Sequence, residues 1–510
     1  MRPAIVKCAA IIFAVVISIT SCEKKDVDDD FLAAVRRYAD TLIEHGRDGY
    51  SDESSPLFAS ALDPETLKLP EGEMLRALQE LDAKDWGIRK NDRVLSGANV
   101  MHQENLYQVL YGLTELTGEP IYAREADASL RYFFDHCQSP ATGLLVWGEH
   151  MGWDFRTDTL VQHYNEIKHS VGEGTTHEFY RPWILWERSF HLNPVACEKF
   201  AFGLWEHQVY DHGTGDFSRH ARWDRHQPGR NSQYPRHGGF YIATWGAAYA
   251  ATGDTVYLQA IKTILDFFER NRSETSGAIP SEVGNARSQG KMMWPHSNLS
   301  LAIDLWDASR GVPDNLGEQM RRRAQKTDSV FLKVPHDLRP DGKGFVTHGN
   351  VHTLAAEDVT NLGMRVYSDL WATGYGQATD AQVANVCYLR YRQNNLPAYR
   401  DLILAAADRY ITSEPDIEFP VYPGTMGDVI FLMLQAHELT GDIAYFNRAE
   451  HFGRIGISMF LGGNALPAAS TRHNHFESIT REDTFMMAIL KLSASKQKKQ
   501  NDISLVWCDR

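Results

Sequence analysis

Cysteine is scarce in this chain. Six occur among 510 residues, with no CxxC pair and no zinc-finger spacing, so a disulfide framework and a structural zinc module are both excluded. Cys137, Cys197, Cys387 and Cys508 are widely separated and are expected to be buried free thiols. Basic charge is also short: the formal net charge is -14. That excludes a general nucleic-acid binder, which needs an extended basic face. HExxH is absent, which argues against a zincin. Sustained strand alternation is absent, and no period of roughly 34 residues marks a tetratricopeptide array. Beyond the N-terminus no apolar run is long enough to span a membrane.

The N-terminal run is of another kind. Arg2 and Lys7 precede an apolar stretch from Cys8 to Ile19, followed by Ile19-Thr20-Ser21-Cys22. This has the layout of a secretory signal ending in a bacterial lipobox. The expectation is a signal peptide over 1–21, lipidation of Cys22, and a polar tether over 22–30. The chain is then anchored by lipid in the cell envelope of a Gram-negative bacterium, periplasmic or at the surface.

One phrase recurs along the rest. Leu110, Thr244 and Phe431 each open an apolar helical pattern that runs into Thr-Gly-acid and then a second helical pattern. Gly118, Gly253 and Gly441 suit the left-handed residue that ends a helix, and the following acid suits the next helix start. Three more hairpins are predicted, turning at Asn193-Pro194, Gly311–Pro313 and Asn394–Pro397. Further helices are expected near 31–46, 74–82 and 477–493. Helical hairpins with irregular, long connections suit an all-α fold, an (α/α)6–7 toroid built as an incomplete barrel. The catalytic domain is expected over 31–495, with 496–510 as a tail.

Against the acidic background, Phe217–Tyr241 holds five arginines and three histidines but one acid, Asp224. Two other stretches carry reactive groups: "LLVWGEHMGWDF" with His150, Trp147 and Trp153, and "TTHEFYRPW" with His177, Glu178 and Arg181. Imidazoles with a carboxylate bind Mn, Fe, Co, Ni or Zn. With 21 histidines in the chain, composition alone does not choose among them.

The order of motifs from Glu178 to His220 resembles the core of the family 2 pectate lyases, the periplasmic-type exopolygalacturonate lyases. Glu178 is followed by Pro182-Trp183, Asn193-Pro194, Leu204-Trp205-Glu206-His207 and Ser218-Arg219-His220. Downstream, "YPRHGGFYIATWGAAYAATGD" is similar to the same family. The resemblance covers roughly 147–270. It implies an (α/α)7 toroid that cleaves galacturonan by β-elimination with a transition metal, most often Mn, with Ni, Co or Zn as alternatives. By position it makes Glu178 and His220 metal ligands and Arg219 the base. The third ligand is an upstream histidine, and His150 is the choice; His163, His169 and His177 compete. His237 and His226 are alternative bases.

A carboxylate-bearing glycan needs a positive wall, so Arg181, Arg222 and Arg236 are candidate substrate contacts. Trp153 and Trp223 are candidate stacking platforms, with Trp147 and the loops Trp294–Asn298 and His348–His352 behind them. The segment after Glu178 is shorter than the family pattern, which leaves the uronic acid open. The competing readings are another α/α-toroid sugar enzyme, of the unsaturated glucuronyl hydrolase or epimerase type, and a non-catalytic surface glycan-binding lipoprotein.

Overall fold

A computed structural model describes residues 30–81, 83–162, 176–227, 233–282, 290–371 and 378–510. The expected signal, Cys22 and tether therefore lie outside the described residues, as do His163 and His169. No described helix is long and apolar enough to cross a membrane.

The described elements are overwhelmingly helical. In chain order the helices begin with Asp30–Glu44 (α1), Gly72–Glu80 (α2), Ala83–Trp86 (α3), Glu104–Thr117 (α4), Ile121–His136 (α5), Trp186–Leu192 (α6), Pro194–Gln208 (α7) and Pro235–Thr252 (α8). They continue with Val256–Arg270 (α9), Pro295–Ala308 (α10), Asp314–Phe331 (α11), Asp380–Asn394 (α12), Pro397–Ile411 (α13), Pro423–Thr440 (α14), Ile443–Gly456 (α15) and Glu482–Lys496 (α16). The hairpin turns form where the sequence places them. Gly118, Gly253 and Gly441 take φ of 75°, 73° and 72°, and each donates its N–H back to the carbonyl four residues earlier. That left-handed cap is open to glycine without the strain a side chain would add.

Packing closes these hairpins into a ring. Going round, α4 packs on α16, α16 on α14, α14 on α12, α12 on α10 and α10 on α8. The α6–α7 hairpin fills the remaining arc between α5 and α8, and α1 backs α16 from outside. The inner helices are buried on nearly every side: α14 is buried continuously from Pro423 to Ala436. Outer helices such as α9 show one apolar stripe, with Tyr257, Ala260, Ile261, Ile264, Leu265 and Phe268 turned inward. This is the α/α toroid. Proline opens α8, α10 and α14, where its missing N–H costs nothing.

Residues 507–510, the end of the stretch expected as a tail over 496–510, pack inside the ring. Trp507, Cys508 and Asp509 are buried. The Trp507 indole donates to Asp428 Oδ1 at 2.7 Å, and Arg510 pairs with Asp304 on α10. Asp509 accepts from Arg481 at 3.1 Å, and its backbone carbonyl accepts from Gln382 on α12. The four remaining cysteines are buried and free.

Candidate metal centre

The site is assembled by short strands rather than by helices. Thr176 and His177 pair antiparallel with Arg222 and Ala221. On the other side Gly148 bridges Glu178 in parallel, and the Glu149 N–H donates to the Glu178 carbonyl at 3.3 Å. Three segments distant in sequence, 148–150, 176–178 and 220–222, are thus laced side by side. Gly148 has φ of 113°, and a Cβ there would lie 2.0 Å from the Glu178 carbonyl oxygen. No side chain fits that approach, so glycine is needed for the two segments to meet. Asn99 holds the turn by donating to the carbonyls of Gly148 at 2.7 Å and Met151 at 3.1 Å.

Glu178 is the hub. Its carboxylate is fully buried, and four side chains converge on it. Oε2 lies 2.6 Å from His220 Nε2 and 3.1 Å from His150 Nε2. Oε1 lies 2.9 Å from His237 Nε2 and accepts from the Arg219 guanidinium. Glu149 adds a second carboxylate, with Oε2 3.3 Å from His150 Nε2 and 3.5 Å from Arg219.

One donor atom from each of Glu149, His150, Glu178 and His220 falls within a sphere where no two are more than 4.8 Å apart. Several of these separations are near 3 Å, the edge length of a coordination shell with ligands at about 2.0–2.2 Å. The donor set, two imidazoles and two carboxylates, is the chemistry of a divalent transition ion. The residues present therefore fit such a group.

Electrostatics agree with a cation-accepting pocket. Burial works against the Glu178 charge, but Arg219 and His220 overcome it and hold the carboxyl well below its usual range. Burial also works against a charged His150, yet Glu149, Asp92 and Glu178 lift it to about 10. His220 moves the other way, to about 4, through burial and the adjacent Arg219. Glu149 is pushed up to about 7 by burial and by the Glu178 and Asp92 carboxylates. Without an ion, His150 carries the proton that a cation would displace.

Of the residues singled out in the sequence, His150, Glu178, Arg219 and His220 come together. His237 joins them but is fully buried, and Glu178 occupies its Nε2. From the start of α8 its ring packs against the Glu178 carboxylate. His177 is buried beside Gln208, 3.0 Å from its amide, and stands outside the cluster. His226 pairs with His207 at 3.1 Å, away from Glu178.

The expected substrate arginines divide. The Arg222 side chain is buried and pairs twice with Asp224 at 2.8 Å. Arg181 is largely buried and lies 3.4 Å from Asp509. Arg236 is half-buried on the first turn of α8, has no ion pair among the described residues, and leaves its Nε without a partner. Trp153 is buried in the strand Gly152–Asp154. Trp147 is fully buried and stacks on Phe179 at 5.6 Å. Trp223 is partly buried against the core. Trp294 stacks on Tyr234 at 4.9 Å, His348 meets the Trp294 edge, and Tyr234 lies under Arg219 at 5.0 Å. In the second loop, His352 Nδ1 lies 3.1 Å from the Ser273 hydroxyl.

Sequence reasoning passed over Glu149, Asp92, Arg89 and Tyr234. Glu149 stands next to His150 and was there to be weighed. Arg89 and Asp92 lie some 60 positions upstream of Glu149, with no motif to link them.

A curated pectate disaccharide-lyase of Dickeya dadantii (strain 3937) is 26% identical over 148 residues, 29% of this chain. The match spans 26% of that relative's length. Among solved structures, cellobiose 2-epimerase from Bacillus thermoamylovorans B4167 aligns over 91% of this chain and 99% of its own, at 10% identity and a TM-score of 0.47. An unsaturated glucuronyl hydrolase specific for heparin aligns over 92% and 98%, at 11% identity and a TM-score of 0.44. The resemblance seen from Glu178 to His220 is shown at the level of the family model: residues 77–272, which carry Glu149, His150, Glu178, Arg219, His220 and His237, match the periplasmic pectate lyase family.

Proposed function

We propose that the protein is a polysaccharide lyase that cleaves a uronic-acid-containing glycan, pectate or oligogalacturonate in type, by cation-assisted β-elimination. The observation that carries this reading is the convergence of His150, His220 and Arg219 on the buried Glu178 carboxylate, inside the stretch that matches pectate lyases. His150, Glu178 and His220 hold a divalent cation, most often Mn, with Ni, Co or Zn as alternatives. When bound, such an ion supplies Lewis-acid polarisation of the uronate carboxylate.

The chain's own residues supply the rest. The reaction takes the C5 proton of a uronate, forms the C4–C5 double bond from that electron pair, and breaks the C4–O bond, with a proton going to the departing oxygen. Arg219 is the base. Its guanidinium is 22% exposed, with Glu178 paired to it and the Tyr234 ring beneath it. Arginine's ordinary pKa of about 12.5 or more makes the neutral form scarce near neutral pH. The activity is therefore expected to rise toward alkaline pH. His237 holds Glu178 in place from α8. Arg236, which has no ion pair among the described residues, grips a neighbouring uronate.

The glycan is the partner, together with a membrane reached through a lipid at Cys22; no nucleic acid is involved. The location is the cell envelope. A panel of polyuronates, read by the ultraviolet absorbance of the unsaturated product, tests the reading. Product from a galacturonan supports it. No unsaturated product from any polyuronate, with bound cation verified, counts against it.

A further inference from the structure

The sequence and its resemblance supply one carboxylate to the cluster, Glu178. The structure has a second, Glu149, and it is built in rather than incidental. Its Oε2 faces His150 Nε2 at 3.3 Å. Its other oxygen, Oε1, accepts from Arg89 Nη2 at 2.6 Å. The same arginine pairs twice with Asp92, at 2.8 and 3.0 Å. Asp92 in turn lies with Oδ1 3.3 Å from His150 Nδ1, the ring nitrogen turned away from Glu178. Glu149, His150 and Asp92 are all buried.

We propose that Glu149 is a fourth protein ligand of the cation, and that Arg89 and Asp92 position both it and His150. The proposal rests on the reading of the cluster as a cation site. Three physical points support it. First, an isolated buried carboxylate is costly, and two carboxylates at one site need a shared cation to be stable together. Among the described residues Arg219 reaches both, 3.5 Å from Glu149, and His150 Nε2 lies 3.3 Å and 3.1 Å from the two carboxylates. Second, Arg89 occupies one Glu149 oxygen and leaves the other aimed at the cluster. Third, a carboxylate facing the outer nitrogen of a ligating histidine sets the tautomer and ring angle. The turn Lys90–Asp92 and the strand-like segment 148–150 thus make one unit.

The consequence is electrostatic. One carboxylate leaves a divalent ion with net positive charge; two neutralise it. Attraction for an anionic glycan then falls to Arg219 and Arg236 rather than to the ion. An oxygen-richer set also moves the site toward Mn among the first-row ions.

Calorimetric titration of Mn into metal-stripped full-length protein tests this without any substrate. Glu149→Gln keeps the shape and removes the charge. It is expected to weaken Mn binding about 10–100-fold, and Asp92→Asn about tenfold. Arg89→Met, which leaves every ligand in place, is expected to weaken it to a similar degree as Asp92→Asn. This variant keeps the test open if Glu149→Gln does not fold. Wild-type Mn affinity in both Glu149→Gln and Arg89→Met overturns the proposal; a slowed turnover with that affinity makes Glu149 a partner of Arg219 instead. A wild-type protein that takes up no Mn, Co, Ni or Zn refutes the cation reading itself, a result distinct from failure of the ligand assignment.

Discussion

Glu178 Oε2 lies 2.6 Å from His220 Nε2, although the two residues are 42 positions apart. The contact exists because strand residues Thr176 and His177 pair with Ala221 and Arg222. That register brings the carboxylate and the imidazole to the same edge.

If these two residues hold a cation with His150, each should be needed for it. Glu178→Gln and His150→Ala are expected to lose bound transition metal by elemental analysis and to reduce turnover at least about 100-fold, in line with loss of a metal ligand. Retention of stoichiometric metal by His150→Ala would return the third-ligand role to another histidine.

Arg219 should act on rate rather than on metal. Arg219→Lys is expected to keep the metal and lower kcat by about 100- to 10,000-fold, the range for removal of a positioned acid–base group. A pH–rate profile of the wild type should climb on the alkaline side. A profile flat above neutrality would favour a histidine base.

Glu104 gives a test in the ring's interior. Burial raises its carboxyl to about 8, opposed by the Ile184 N–H and the Cys508 thiol that it accepts from. Its folded pKa lies above the unfolded one, so folding takes up a proton between about pH 4.5 and 8. Stability from this group is complete below that window and falls as pH rises through it, by at most about 1.4 kcal/mol per pH unit. Glu104→Gln should therefore flatten the loss of Tm between mildly acidic and mildly alkaline buffer. An unchanged slope would contradict the assignment.

The ring wall depends on a buried pair. Arg390 donates twice to Asp328 at 2.7 Å, both are almost fully enclosed, and the Tyr399 hydroxyl adds 2.8 Å. Arg390→Met strands the carboxylate between α11 and α12. A loss of about 3–5 kcal/mol is expected, measured by denaturant unfolding; a change under about 1 kcal/mol would mean water reaches Asp328.

How much of this was legible follows from range. The hairpins at Gly118, Gly253 and Gly441 could be read because their turn chemistry is local. The meeting of Glu178, Arg219 and His220 could be read because their spacing follows a family pattern. The partners of Arg181 and Arg222 were harder to read, since an arginine's free charge depends on what the fold sets beside it. Asp224 sits two residues from Arg222 and was counted against the basic island, while Asp509 reaches Arg181 only after the chain has closed the ring. The segment 507–510 looked like a polar tail because its buried contacts, Asp428 and Asp304 among them, come from distant helices. Glu149 went unweighed beside His150 because nothing in sequence announces Arg89 and Asp92.

The most direct test of the central claim is a galacturonan assay on protein stripped by chelator and then resupplied with Mn. The account predicts no unsaturated product from the stripped protein, recovery on addition of Mn, and no recovery in Glu178→Gln. Full production of unsaturated product by verified metal-free protein, or by Glu178→Gln, would contradict it.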